Sequence, residues 1–200
     1  MGLLVMILGL VVFLGVHTFT TRREARARLV AAWGEGGYKA GYALASLIGL
    51  ALIVWGFAHY RADGMIDVWE RFCSPKVLAV LKHITDALML PAVILVVAAY
   101  IRGRIYTALK HPMLAGVKLW AAAHLLANRD LGGIILFGSF LGWAVFDRIS
   151  LKHRKDAGGP PIPVGGLSND LIAVAVGIVA YLALGFAFHP AVIGVPVFGV

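Results

Sequence analysis

The chain is poor in cysteine and in charge. It contains one cysteine, Cys73, so an internal disulfide and a metal site built on cysteine pairs are both excluded. Only 14% of its residues are charged, whereas a soluble domain carries about 25%. The GxSxG, HExxH and Walker motifs are also missing from the sequence, which argues against hydrolase chemistry.

Apolar residues dominate instead, and they occur in long uninterrupted runs. Hydrophobic residues make up 60% of the chain, and its mean hydropathy is +0.88. Six runs approach the roughly 20 residues that a helix needs to cross a bilayer core: residues 2–19, 41–58, 77–100, 113–127, 131–146 and 171–188. We therefore predict an all-α fold, a polytopic transmembrane helical bundle of about six spans that forms a single domain over residues 1–200 in a lipid bilayer.

Lysine and arginine are unevenly distributed among the predicted loops. Twelve of the 18 fall in the first, third and fifth loops, and four fall in the second and fourth. The positive-inside rule then places the odd-numbered loops in the cytoplasm and both termini on the outer, periplasmic side of a bacterial inner membrane. Residues 152–168, rich in glycine and proline, are predicted to be a cytoplasmic linker. No basic stripe with interleaved exposed aromatics indicates nucleic-acid binding.

The most informative stretch is residues 111–130, HPMLAGVKLWAAAHLLANRD, where polar side chains interrupt an apolar segment. Such side chains are costly in hydrocarbon, so they are functional candidates. On a helix, Gly116, Trp120, His124 and Asn128 recur every four residues and form one stripe. We predict that this stripe faces the bundle interior, where a flat cofactor could lie against the glycine and His124 could bind a metal. The alternative for His124 is an interhelical hydrogen bond.

Three further histidines are candidates. His17 follows an apolar run and is predicted near the cytoplasmic end of the first span. His83 lies one turn before Asp86, which could orient its imidazole, with a purely interfacial role as the alternative. His111 precedes a proline that can open a helix, so a capping or interfacial role competes there with cofactor binding.

The motif HPxxxGV occurs twice, at residues 111–117 and 189–195. Two copies of such a motif can mark an ancient internal repeat. In the predicted topology, however, the copies fall on opposite sides of the membrane. This difference favours coincidence over repetition.

Residues 111–154, together with LGLVVFLGVHTF near the start and HPAVIGVPV near the end, resemble the NnrU family of bacterial membrane proteins. The resemblance covers nearly the whole chain and implies a link to denitrification. The family is related to 15-cis-zeta-carotene isomerase, a membrane enzyme that holds haem b between two histidines. By motif, those histidines correspond to His17 and His124. The isomerase has a cysteine three residues before the second histidine, thought to exchange as a ligand, and this chain has Ala121 there.

The resemblance leads to two hypotheses. In the first, the protein binds haem b through His17 and His124 and has a redox or nitric-oxide-linked role, or isomerises a hydrophobic polyene. Arg22, Arg23 or Arg129 could then meet the haem propionates, and His83 is an alternative ligand because its predicted depth is nearer to that of His124. In the second, the protein is a non-catalytic membrane factor that supports assembly of nitrite or nitric oxide reductase. A small membrane methyltransferase ranks last, because the chain has no glycine-rich nucleotide-binding loop.

Overall fold

The computed structural model describes residues 1–69, 72–154 and 161–198, and these residues are mostly helical. Their elements in chain order are α1 (Gly2–Phe19), α2 (Arg23–Ala62), α3 (Pro75–Ala98), α4 (Arg104–Leu109), α5 (Pro112–Ala127), α6 (Leu131–His153), α7 (Leu167–Ala183) and a π-helix (Leu184–Ile193). The predicted all-α, polytopic fold is confirmed.

In the described part of the chain, five helical stretches are long and apolar enough to cross a membrane. They are α1, α2, α3, α6 and the continuous Leu167–Ile193. These stretches contain four of the six predicted runs and all but the last two residues of a fifth, residues 77–100. The remaining run is α5, whose 16 residues rise about 24 Å, less than the roughly 30 Å hydrocarbon core. The prediction of about six spans thus becomes five long helices and one short apolar helix.

α2 is much longer than its apolar run, because the helix starts at Arg23 in the first predicted loop. Gly34 interrupts it with φ 72° and ψ 165°, a conformation that only glycine adopts readily. Residues 23–33 are therefore a separate helical segment, which we call the basic segment. It precedes the apolar part of α2 and carries three arginines.

The chain divides into two compact units, and the first comprises Met1–Phe72 with Asn128–Ser150. In it, α1 and α2 approach backbone to backbone. A Cβ on Gly9 would lie 2.6 Å from the Ile53 nitrogen, and a Cβ on Gly56 would collide with the Met6 nitrogen. Small residues allow this approach, and they matter in a membrane because lipid tails provide no hydrophobic drive for helices to associate.

A backbone pairing ties the loop after α2 to the start of α6. The Val68 N–H donates to the Arg129 carbonyl (3.0 Å), and the Leu131 N–H donates to the Ile66 carbonyl (2.9 Å). Asp130, 8% exposed, accepts a hydrogen bond from the Gly133 N–H at 2.8 Å and so caps α6. Residues 128–130 therefore form a short ordered connection before α6.

The second unit comprises Cys73–Ala127 with Leu151–Val200, and α3 packs there against both α5 and α7. A Cβ on Gly116 of α5 would lie 2.8 Å from the Ala92 carbonyl oxygen, and one on Gly177 of α7 would lie 2.7 Å from Ile94. The Thr85 hydroxyl also donates to the Ala123 carbonyl at 3.0 Å. The two glycines therefore let α5 and α7 approach α3 closely.

Asp170 at the start of α7 holds the loop after α3. Its carboxylate is 8% exposed and accepts hydrogen bonds from the backbone N–H groups of Arg104 (3.1 Å) and Ile105 (3.0 Å). The neighbouring Asn169 amide donates to the Arg102 carbonyl at 2.8 Å. These bonds satisfy backbone groups at the start of the short helix α4.

We expect Asp170→Ala to destabilise the second unit by about 2–4 kcal/mol, because it leaves two backbone donors without their charged acceptor. The measurement is the unfolding free energy of the purified protein in mild detergent. Asp63→Ala is the matched control, since the Asp63 side chain is 64% exposed and its contact to the N-terminal ammonium is 3.9 Å. Equal stability of the two variants would contradict the capping role.

The predicted linker at residues 152–168 is shorter than expected at both ends. α6 continues to His153 and α7 begins at Leu167, so the ends of the linker are helical. Residues 155–160 of the linker lie outside the described residues, and the rest of it, residues 161–166, is non-helical.

Candidate functional site

The residues predicted from the sequence divide between the two units. His17 and Asn128 belong to the first unit, and the others (His83, His111, Gly116, Trp120 and His124) belong to the second.

His17 lies near the end of α1 among aromatic rings from three helices. Its ring stacks on Phe13 with centroids 4.3 Å apart, lies 5.3 Å from Tyr42 of α2, and meets Trp143 of α6 at 5.7 Å and 88°. The Nδ1 atom is 2.6 Å from the Phe13 carbonyl oxygen, one turn earlier. When Nδ1 donates its proton to this carbonyl, the lone pair is on Nε2, which is then the ligating nitrogen.

The buried donors of this unit that lack a partner among the described residues include the Trp143 Nε1–H and the Tyr38 hydroxyl. Tyr38 is only 7% exposed, and its ring stacks with that of Tyr42 at 6.5 Å. Buried polar groups normally have a partner, so such donors call for an explanation, and an acceptor supplied by a bound molecule is one. Sequence reasoning missed both residues, because an aromatic side chain inside an apolar run is typical of ordinary core packing.

His124 lies near the end of α5 in the second unit. Its Nδ1 is 2.9 Å from the Trp120 carbonyl oxygen, and the Trp120 ring is 5.2 Å away. The nearby Ala121 and Ala123 are fully buried at 0% exposure. His124 thus has the same local arrangement as His17, with Nδ1 facing its own helix and Nε2 facing away from that carbonyl.

The second unit also brings His189 close to His124, with ring centroids 6.2 Å apart. His189 belongs to the π-helix, a form that is rare and often marks functional sites. Its Nδ1 is buried and has no hydrogen-bond partner among the described residues. The HPxxxGV motif did single out His189, but the neighbour that tertiary structure gives it could not be read from the motif.

The two copies of that motif have different local structures. His111 immediately precedes α5, and Pro112 is the first residue of that helix, as the sequence predicts. The His111 carbonyl accepts from the Ala115 N–H at 3.2 Å. Pro190, in contrast, lies inside the π-helix.

The stripe predicted on α5 is shorter than expected. α5 ends at Ala127, so Asn128 follows the helix, and it packs against Gly133, whose Cβ would lie 2.6 Å from that of Asn128. Gly116 faces the Ala92 carbonyl of α3, so helix packing accounts for this glycine. Its predicted role beside a cofactor remains a prediction.

His83 is exposed on α3, one turn before Asp86, and the orientation of its imidazole by Asp86 remains a prediction. The Asp86 carbonyl accepts a hydrogen bond from the Tyr181 hydroxyl at 3.1 Å. Among the described residues, no group of three or more histidine, cysteine or acidic side chains is arranged to hold a metal ion.

His59 shows that the local geometry of His17 and His124 is not unique to them. Its Nδ1 is 2.9 Å from the Trp55 carbonyl oxygen, and its ring is 4.0 Å from the Trp55 ring. His59 is exposed, however, whereas His17 and His124 are partly buried. Burial, rather than the bond to the helix backbone, therefore distinguishes the two candidates.

Comparison with known proteins gives one family. The family model described as NnrU protein matches residues 5–197, which is nearly the whole chain. No curated protein and no solved structure matches the chain. On the evidence of that match and of its apolar helices, this chain is a multi-pass membrane protein that belongs to the NnrU family.

Proposed function

We propose that the protein binds haem b, with His17 and His124 as the axial ligands, and that it has a redox or nitric-oxide-linked role in the bacterial inner membrane. The observation that carries the proposal is the burial of these two imidazoles and the contact that each makes with its own helix. Both are partly buried, and in both Nδ1 faces the carbonyl of the preceding turn. Haem iron binds neutral imidazole, and a bond from the other ring nitrogen to a backbone carbonyl fixes the required tautomer.

The surroundings of each histidine also suit a flat, largely apolar group. Phe13, Tyr42 and Trp143 surround His17 with aromatic faces and edges, which exclude water and suit a porphyrin edge. The partnerless Trp143 and Tyr38 donors would suit the carboxylates of such a group. Beside His124, the small apolar side chains of Ala121 and Ala123 are fully buried.

Bound haem would supply one-electron redox chemistry. The protein would hold the iron with the two imidazoles and keep water from it with the aromatic side chains. A role in denitrification is what the family resemblance implies. Isomerisation of a polyene has weaker support, because Ala121 offers no sulfur at the position where the related isomerase has an exchanging ligand.

The test is the visible spectrum of the detergent-purified protein from haem-replete cells, oxidised and dithionite-reduced. We expect a Soret band and sharp α and β bands on reduction, as a six-coordinate haem with two histidines gives. A haem-free spectrum, also after addition of haemin, would contradict the proposal. It would favour the second hypothesis, a factor that supports assembly of nitrite or nitric oxide reductase, which co-purification with a reductase subunit would then test.

A further inference from the structure

We propose that Arg22, together with Arg23 and Arg28 of the basic segment, binds the phosphate group of an anionic phospholipid. The site is a cavity of about 400 Å³ lined by Thr21, Arg22, Arg23, Glu24, Ala25 and Arg28. The inference is independent of haem binding and rests on the position, shape and charge of this cavity.

The position of the cavity follows from the end of α1. This apolar helix ends at Phe19, and the next residues form a tight turn without a spacer. The Thr20 and Thr21 hydroxyls donate to the carbonyls of His17 and Thr18, each at 2.7 Å, and the Arg22 N–H donates to the Phe19 carbonyl at 3.0 Å. If α1 spans the membrane, the cavity must therefore lie at the depth of the lipid headgroups.

The break at Gly34 keeps the basic segment apart from the apolar part of α2. One contact nevertheless joins the basic segment to the apolar part of α2: the Arg26 guanidinium carbon lies 5.3 Å from the centre of the Tyr38 ring. At its end Trp33 is 60% exposed, and tryptophan is enriched where a membrane meets water. These features are those of a segment that lies along the interface.

The charge of the cavity suits a phosphate. Three of its six lining residues are arginines and one is acidic. That residue, Glu24, approaches Arg28 only to 4.0 Å, and both side chains are more than 80% exposed, so their attraction is weak. Arginine presents a planar fork of donors that binds phosphate oxygens in pairs. Each basic residue near an anionic membrane surface adds to the attraction.

The decisive experiment is native mass spectrometry of the protein purified from mixed bilayers of phosphatidylglycerol and phosphatidylcholine. We expect retained phosphatidylglycerol on the wild type, and at least about a tenfold lower retention when Arg22, Arg23 and Arg28 are all changed to glutamine. The matched control changes Arg148, Lys152 and Arg154 to glutamine, an equal loss of charge elsewhere, and should retain the lipid. Thermal unfolding of each variant checks that it is folded.

A second variant separates charge from geometry and keeps the test informative if the glutamine variant fails to fold. With Arg22, Arg23 and Arg28 all changed to lysine, we expect retention between that of the wild type and the glutamine variant, because charge remains but paired hydrogen bonds are lost. Unchanged retention in this variant and in any folded glutamine variant would overturn the proposal.

Two further measurements test whether free phosphate or the haem propionates, and not a lipid, bind these arginines. Displacement of the lipid by millimolar inorganic phosphate would overturn the proposal in favour of a site for free phosphate. Loss of haem with unchanged lipid in the glutamine variant would also overturn it and assign the arginines to the haem propionates. Retention of haem with loss of lipid supports it, and in a haem-free protein the lipid result stands by itself.

Discussion

Replacement of either His17 or His124 by alanine is expected to abolish the six-coordinate haem spectrum. Each substitution would remove one of the two proposed ligand nitrogens, so the iron would become five-coordinate or leave the protein. The measurement is the reduced-minus-oxidised difference spectrum together with the haem content per protein. We expect loss of the sharp α and β bands in both variants and at least about a tenfold loss of affinity, because removal of even an outer-shell partner of a metal ligand costs about 10- to 100-fold.

His59→Ala is the matched control for these variants. His59 has the same bond from Nδ1 to the preceding turn and the same contact with an aromatic ring, but it is exposed. Its removal should leave the spectrum unchanged. Addition of free imidazole to His17→Gly and His124→Gly should restore the bands in part, which a purely structural role of these histidines would not produce.

Two more variants decide between alternative ligands. His83→Ala should keep the spectrum, since His83 is exposed on α3. His189→Ala tests whether the imidazole that lies 6.2 Å from the His124 ring is itself a ligand. Loss of the bands in either of these variants, with His17→Ala unaffected, would contradict the ligand pair that we propose.

The second large effect is expected at the contact between α1 and α2. Gly9→Leu places a side chain where the Ile53 nitrogen and the Gly49 carbonyl oxygen lie within 2.8 Å of the new Cβ. Backbone atoms cannot rotate aside as a side chain does, so the helices must separate. We expect a loss of at least about 3 kcal/mol, at or above the upper end for overpacked cores.

The measurement is the midpoint of unfolding in detergent, and Gly15→Leu is the control. Gly15 lies on the same helix, but a Cβ there would meet nothing within 4 Å. The control should therefore unfold like the wild type. If both variants unfold alike, the close approach of α1 and α2 does not contribute to stability in the way described.

The mean hydropathy of +0.88 and the long apolar runs were enough to predict a helical membrane protein. Helix formation in an apolar run is a local matter, because a chain in lipid must satisfy its backbone hydrogen bonds within the segment. The same locality explains why the run at residues 2–19 coincides with α1 and why Pro112 starts α5. The candidate ligands His17 and His124 also emerged from the sequence, through apolar context and family resemblance.

Packing adds contacts that the local pattern does not give. Gly116 lies close to the Ala92 carbonyl of α3, and its predicted place beside a cofactor remains a prediction. The bounds of the linker were misjudged because α6 extends to His153 beyond its apolar run. A helix end depends on capping and tertiary contacts that composition does not report.

By itself, the sequence determined the helical membrane class, the approximate spans and the basic loops, because hydrophobicity and charge act on each segment separately. Only the tertiary structure decided that Trp143 and Tyr42 accompany His17, that His189 lies beside His124, and that Asp170 holds the backbone of Arg104. These contacts join residues far apart in the chain. They depend on which helix faces pack together, and no local pattern specifies that.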